Sequence, residues 1–237
     1  MTDSRTLREA VLAANLALRD RGLVMGTFGN VSGLDRDAGV FYIKPSGVGY
    51  DQLTPDAMVP VSLESGAVRE GTRRPSSDTP THLELYRHFG CGGIAHCHSE
   101  AATAFAHASR PLPCMGTTHA DSFRGDIPVT RPLTRAEVES AYERNTGLTI
   151  VERFRDGRLS PGEVPGVLVA HHGPFAWGED AAAAVEHAAI LEYLARIELA
   201  RLCIAPDAGP PPDYLLEKHW RRKHGTDAYY GQPERDP

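Results

Sequence analysis

Long hydrophobic runs are missing from this sequence. No apolar stretch approaches the roughly 20 residues that a membrane-spanning helix needs, so we expect no association with a membrane. Residues 1–20 carry charges through their apolar positions, and they predict an amphipathic helix in place of a secretion signal. A cytoplasmic location is the expectation that follows.

Cysteine is also scarce, with four in 237 residues. They lie in apolar or partly apolar contexts without paired spacing, which favours buried free thiols in a reducing compartment over disulfides. This expectation agrees with a cytoplasmic location. The four positions are Cys91, Cys97, Cys114 and Cys203.

Clustered positive charge is limited to one short run. The formal net charge is −6, and the run WRRKH at 220–224 is the one basic cluster. Such a balance argues against a nucleic-acid partner. We expect the run to cap a helix or to meet a phosphate or a neighbouring subunit.

The periodicity of apolar residues predicts an α/β fold of layered α+β type. Leu7, Val11, Ala14 and Leu18 recur at helical spacing, and helix and strand patterns alternate after Gly22. We expect a central, mainly antiparallel sheet with helices on both faces, forming one domain over 1–237 with an exposed tail from about residue 226. The segments predicted as strands are 40–47, 58–71, 92–98 and 165–178.

Two histidines stand two residues apart in the apolar run GGIAHCH. Alternate side chains leave the same face of a strand, so His96 and His98 can address one ion while Cys97 points to the opposite face. With 11 histidines in the chain, such a pair arises by chance roughly 0.5 times, so the spacing alone is weak evidence. Together with Asp78 and His172 the pair offers three imidazoles and one carboxylate, a set that suits zinc.

Several longer segments are specific enough to identify a family. They are GNVSG, IKPSGVGYDQL, RPSSDTPTH, GGIAHCHS, GTTHAD, GVLVAHHGPFAWG and KHGTDAYYGQ. The chain resembles the L-ribulose-5-phosphate 4-epimerases of the class II aldolase/adducin superfamily from about Gly29 to Gln232. This resemblance implies one Zn²⁺ per subunit, replaceable by Mn²⁺ or Co²⁺, with Asp78, His96, His98 and His172 as ligands and His171 pointing elsewhere.

The resemblance also implies a sugar phosphate as substrate. Glycine permits close backbone approach, and serine hydroxyls with backbone N–H groups can donate to phosphate oxygens. Any one of these motifs alone would be interpreted as a turn. Lys44 either adds a cation near the phosphate or is a solvated lysine at a strand end. The other implied residues are Gly29, Asn30, Ser46, Gly47, Ser76 and Ser77.

Catalytic roles follow from the same resemblance. Asp121 in THAD and Tyr230 near the carboxy terminus match the family's acid/base residues. Family members are homotetramers with active sites between subunits, so we expect the tyrosine to come from a neighbouring chain. Glu143 and His219 are lesser candidates, for which a structural salt bridge and a helix-face histidine are the alternatives.

Inversion at C4 of a 2-ketopentose 5-phosphate requires cleavage of the C3–C4 bond, because the hydrogen on C4 is not adjacent to the C2 carbonyl. The resemblance therefore implies retro-aldol cleavage and re-addition, whether the pentulose phosphate comes from arabinose or from ascorbate. A class II aldolase acting on L-fuculose 1-phosphate is the nearest alternative, although Asp78 stands where such aldolases typically have glutamate. A non-catalytic, adducin-like module is the other, although all four predicted ligands are present.

Overall fold

A six-stranded sheet forms the centre of the computed structural model, which describes residues 4–226 and 228–231. In chain order, strands β1 to β6 are Asn30–Asp35, Val40–Ile43, Val59–Ser62, Gly93–His96, Gly166–Leu168 and Pro174–Gly178. The spatial order is β3-β2-β1-β4-β6-β5, and every neighbouring pair is antiparallel.

Seven α-helices surround this sheet within the described residues. Helices α1 to α7 are Ser4–Asp20, Thr79–His88, Glu100–His107, Thr117–Ala120, Arg135–Asp156, Ala181–Ile204 and Asp213–His224. In the part of the chain that the structure describes, no helix has the length and apolar character needed to cross a bilayer.

The two faces of the sheet are buried under different helices. Phe41 and Ile43 of β2 belong to a core shared with α2, α3 and α5, whereas Val40 and Tyr42 belong to a core shared with α1 and the start of α6. This is the period-2 alternation of a sheet that is covered on both sides. The predicted fold class is therefore confirmed.

Three elements were not predicted. Strand β1 has the sequence NVSGLD, which is poor in the residues that favour strands, yet it pairs with both β2 and β4. Its Gly33 lies against α1, where a Cβ atom would stand 2.8 Å from Val11 Cγ2. Helices α4 and α5 are the other two. In the predicted hairpin at 58–71, the second strand is reduced to one bridge between Val61 and Val68.

Close packing of glycine holds β4, the strand that carries His96, against the start of α6. A Cβ atom on Gly93 would lie 2.2 Å from both the carbonyl carbon and the oxygen of Asp180. Asp180 is the N-cap of α6, and its side chain accepts a hydrogen bond from the Ala183 N–H. Since the obstructing atoms are backbone, a side chain at 93 would separate the strand from the helix.

We expect Gly93→Ala to lower the free energy of unfolding by at least about 2 kcal/mol through overpacking. Gly90→Ala is the matched control, because a Cβ atom at Gly90 would meet no heavy atom within 4 Å. Urea titrations followed by circular dichroism measure both variants. A Gly93→Ala protein as stable as Gly90→Ala would contradict the packing argument.

Candidate functional site

Three imidazoles meet at one end of the sheet. His96 is the last residue of β4, His98 follows two residues later, and His172 lies in the connection between β5 and β6. His96 Nε2 is 3.1 Å from His98 Nε2 and 3.0 Å from His172 Nε2. Nitrogens bound tetrahedrally to one zinc ion stand about 3.3 Å apart. The three rings therefore form a group that can hold a metal ion.

Hydrogen bonds on the opposite ring atoms favour this use of Nε2. His96 Nδ1 donates to the Pro174 carbonyl over 2.9 Å, so in the neutral ring Nε2 carries a lone pair. His172 Nδ1 shares a 2.8 Å hydrogen bond with the Tyr142 hydroxyl. Burial, followed by the neighbouring His96, lowers the pKa of His172 to about 3 and also lowers the pKa of His98. Neutral imidazoles are the form that binds metal.

The backbone around the rings is tightly constrained. His171 adopts a left-handed conformation with φ of 62°, and its ring points away toward Ser109 Oγ, as predicted. A Cβ atom on Gly173 would lie 2.9 Å from the Cys97 carbonyl oxygen and 3.3 Å from His98 Cδ2. Cys97 itself is buried in the core on the opposite face.

A buried carboxylate fixes the helix that follows His98. Glu192 of α6 accepts hydrogen bonds from the N–H groups of Ala101 and Ala102, at 3.1 and 2.9 Å. Both N–H groups lie in the first turn of α3, where no carbonyl of the same helix can accept from them. The negative charge of Glu192 also interacts favourably with the positive end of the helix dipole. Arg196 Nε donates to the same carboxylate over 2.7 Å. The segment leaving the histidines is thereby anchored to α6.

Asp78 faces the three rings from the start of α2. Its Oδ2 lies 4.0 Å from His96 Nε2 and accepts a hydrogen bond of 2.7 Å from Asn30 Nδ2. Burial acts to raise the pKa of Asp78, but nearby imidazoles and the Asn30 amide outweigh it, so the pKa is below its ordinary value. The carboxylate is thus ionised beside the histidines. Among the described residues, the atoms that all lie within 4.8 Å of one another come from the three histidines alone.

The predicted phosphate-binding residues and the predicted ligands line one cavity of about 340 Å³. Two loops form its far wall, joined by the hydrogen bonds Ser46 N to Arg74 O and Ser76 N to Lys44 O, of 3.0 and 2.9 Å. The lining residues are Thr27, Phe28, Gly29, Asn30, Lys44, Pro45, Ser46, Gly47, Ser76, Ser77, Asp78, His96, His98 and His172.

Lys44 lies inside the protein, with 2% of its surface exposed, so the alternative of a solvated strand-end lysine is wrong. Its Nζ donates to the Thr27 carbonyl over 3.2 Å and stands 4.9 Å from the centre of the Tyr50 ring. Burial lowers its pKa. A cation in this position has few protein partners and is available to an anion in the cavity.

Gly29 and Gly47 adopt left-handed conformations, with φ of 76° and 69°. At Gly29 a Cβ atom would also lie 2.6 Å from Val24 Cγ1 and 2.9 Å from the His96 carbonyl oxygen. The loop before β1 therefore reaches the histidines only because residue 29 has no side chain.

The two predicted catalytic residues lie outside this cavity, beside α7. Asp121 accepts hydrogen bonds from Arg222 Nε at 2.9 Å and from His219 Nδ1 at 3.1 Å. Burial acts to raise the pKa of Asp121, but the bonds from Arg222 and His219 hold it below the ordinary value. Tyr230 is 61% exposed and packs over Arg222, whose guanidinium carbon is 4.9 Å from the ring centre. The two residues share Arg222, but neither lines the histidine cavity of its own chain.

The lesser candidates also have definite positions. His219 is half-buried and paired with Asp121, so it is more than a residue of a helix face. Glu143 contacts α2 through its backbone, because its carbonyl accepts a hydrogen bond from Thr81 Oγ1.

Tyr142 was missed by the sequence analysis. It lies in ESAYERNTG, at an interruption of α5 where Ala141 has non-helical backbone angles, and bonds a histidine 30 residues away. The spacing of residues in the sequence does not reveal a hydrogen bond between two side chains so far apart in the chain. The nearest sequence signal is the adjacency of Tyr142 to Glu143.

Most of the chain matches one known protein family. The family model "Class II Aldolase and Adducin N-terminal domain" matches residues 9–199. Proteins of Salmonella paratyphi A and Salmonella typhi, both named L-ribulose-5-phosphate 4-epimerase UlaF, are 50% identical over 227 residues, covering 95% of this chain and 98% of each relative.

Solved structures agree in fold. An L-fuculose 1-phosphate aldolase superposes with a TM-score of 0.76 at 25% identity, covering 92% of this chain and 95% of the other. The l-fuculose-1-phosphate aldolase of Thermus thermophilus gives 0.67 at 29% identity, covering 87% and 98%. Because the family model matches residues 9–199 and the Salmonella relatives are 50% identical over nearly the whole chain, the chain belongs to the class II aldolase and adducin family.

Proposed function

We propose that this chain interconverts L-ribulose 5-phosphate and D-xylulose 5-phosphate by inverting C4. The observation that carries the proposal is a single cavity that combines three converging imidazoles with serine, asparagine and lysine donors. The names and 50% identity of the Salmonella relatives support the choice of substrate.

His96, His98 and His172 would hold one divalent ion, with Asp78 as a fourth ligand. Three imidazoles and a carboxylate favour zinc, and manganese or cobalt can substitute. When bound, such an ion supplies a Lewis acid beside the substrate's oxygen atoms. Its positive charge would be offset within this set by the Asp78 carboxylate alone.

The phosphate would bind in the two loops at 44–47 and 74–77. Hydroxyls of Ser46, Ser76 and Ser77, with the backbone N–H of Gly47, supply donors, and Lys44 supplies a buried positive charge. Asn30 already donates to Ser76 Oγ and to Asp78, at 3.0 and 2.7 Å. This asparagine therefore connects the proposed phosphate site with the proposed metal site.

Proton transfer at the C4 oxygen completes the proposal. Loss of the hydroxyl proton lets the C3–C4 electron pair leave toward the C2 carbonyl, which gives a three-carbon enediolate and glycolaldehyde phosphate. The aldehyde turns, and the C3–C4 bond re-forms on its other face with return of a proton to oxygen. We assign the two proton-transfer roles to Asp121 and Tyr230, one on each side of the aldehyde.

Because Asp121 and Tyr230 lie outside the cavity of their own chain, they would act on the cavity of a neighbouring subunit. We propose a homotetramer with active sites between subunits. We also propose a cytoplasmic location, supported by free cysteines at all four positions, three of them buried.

Release of the aldehyde is the competing activity, because the L-fuculose 1-phosphate aldolases share this fold. Incubation with L-ribulose 5-phosphate, followed by assays for D-xylulose 5-phosphate and free glycolaldehyde phosphate, separates the two. We expect D-xylulose 5-phosphate as the main product. Dominant release of glycolaldehyde phosphate would replace epimerase by aldolase, and a protein with neither activity nor bound metal would favour a binding module.

We expect His172→Asn to lose both metal and activity, because it removes one of three converging nitrogens. His171→Asn is the matched control, since its ring points away and asparagine tolerates the left-handed backbone at 171. Metal content by plasma emission spectroscopy and turnover are measured on the same samples. Full metal content in purified His172→Asn would remove it from the ligand set.

Mixing two inactive variants tests the placement of Tyr230. We expect Tyr230→Phe to keep its metal and lose most turnover, and His98→Asn to lose both. When equal amounts are unfolded and refolded together, sites that take ligands from one chain and tyrosine from another regain activity, to roughly a quarter of the parent for random assembly. The absence of any regain, with tetramers re-formed, would place both residues in the site of one chain.

A further inference from the structure

Tyr142 lies where helix α5 is interrupted, beside the ring of His172. We propose that Tyr142 is a positioning residue: its hydroxyl oxygen accepts the Nδ1 proton of His172 and holds that ring in the tautomer and orientation that present Nε2 to a divalent metal ion. The inference rests on the proposed metal site and adds a residue to it.

The tautomer that His172 needs follows from the positions of its two ring nitrogens. His172 Nε2 stands 3.0 Å from His96 Nε2, and the latter carries a lone pair because His96 Nδ1 donates to Pro174. For His172 Nε2 to bind the same ion, the ring proton must sit on Nδ1, which is 2.8 Å from the Tyr142 oxygen. The reverse bond, with the phenol donating, would leave the proton on Nε2 and block coordination. Accepting that proton thus selects the metal-binding form.

The interruption of α5 gives Tyr142 a defined position. A capping box between Thr134 and Glu137 starts the helix, but Ala141 then has φ of −145° and ψ of 69°. Asn145 Nδ2 donates to the Glu137 carbonyl over 2.8 Å, which satisfies an acceptor next to the break. Tyr142 begins the second helical segment, and its carbonyl accepts a bond from Thr146 Oγ1 at 2.9 Å.

This second segment is packed closely on α2, the helix that starts after Asp78. A Cβ atom on Gly147 would lie 2.9 Å from Glu84 Cβ, which shows how closely the two helices approach. Arg144 Nε donates to Glu84 Oε1 over 3.0 Å, and Thr81 Oγ1 bonds the Glu143 carbonyl. The Tyr142 hydroxyl is therefore held by the same helix pair that carries Asp78. Its bond to His172 links that pair to the sheet edge that carries the imidazoles.

The test is the zinc affinity of Tyr142→Phe, measured without substrate by competition with a chromophoric chelator. We expect the dissociation constant to rise by about 10- to 100-fold, the usual effect of removing a partner of a metal-bound histidine. The visible spectrum of the cobalt-substituted protein should change as well, because the His172 ring loses its fixed orientation. Tyr193→Phe is the matched control, since Tyr193 is an exposed tyrosine of α6.

Thermal unfolding of the metal-free proteins separates positioning from general packing. We expect metal-free Tyr142→Phe to unfold at the temperature of Tyr193→Phe. Unchanged zinc affinity and cobalt spectrum would overturn the proposal, as would a loss of affinity matched by an equal loss of metal-free stability. Failure of epimerase activity in the parent would leave the zinc measurement intact, so the two proposals are tested separately.

Discussion

Convergence of three imidazole nitrogens on one point is the constraint on which the site depends. His96 presents a bare Nε2 to two other imidazole nitrogens at 3.0 and 3.1 Å, in surroundings where the pKa values of His98 and His172 are lowered. A positive ion bound among them would be attracted by lone pairs turned toward it. The β4 strand end, the turn before β6 and the start of α2 hold the three imidazoles and Asp78 close together. Binding of the proposed ion would therefore be linked to the local fold.

The sequence was most informative where local geometry decides the outcome. Strand alternation placed His96 and Cys97 on opposite faces, and the glycine at 29 marked a close approach of backbone, to the His96 carbonyl oxygen. Strand β1 was missed because its pairing depends on distant strands. Its Gly33 leaves the space that the Val11 side chain of α1 occupies. Burial of Lys44 was left open, since neighbouring residues do not reveal what covers a strand end. Tyr142 could not be found by spacing, because its partner is 30 residues away.

The described chain divides its predicted chemistry between two places. One is the cavity with the imidazoles and phosphate donors, and the other is the group beside α7 in which Arg222 joins Asp121 and Tyr230. The tail is tied to α7 by hydrogen bonds from the N–H groups of Tyr229 and Tyr230 to the Arg222 carbonyl, at 3.0 and 3.1 Å. Each of these two groups of residues is held together by contacts within one chain. Under the proposed tetramer, a division of this kind would make cleavage and re-formation of the sugar depend on the assembly of subunits.

The connection between β5 and β6 leaves no room for a change in its length. It closes through bonds from Val169 N to Gly173 O and from His172 N to Val169 O, while His171 N bonds Ala106 of α3. Inserting or deleting one residue would displace the imidazole by about 3.8 Å, which is longer than a zinc–nitrogen bond of about 2 Å. Retaining the proposed ion site thus requires this turn to keep its length, and the close approach of Gly173 to the Cys97 carbonyl oxygen restricts its composition as well.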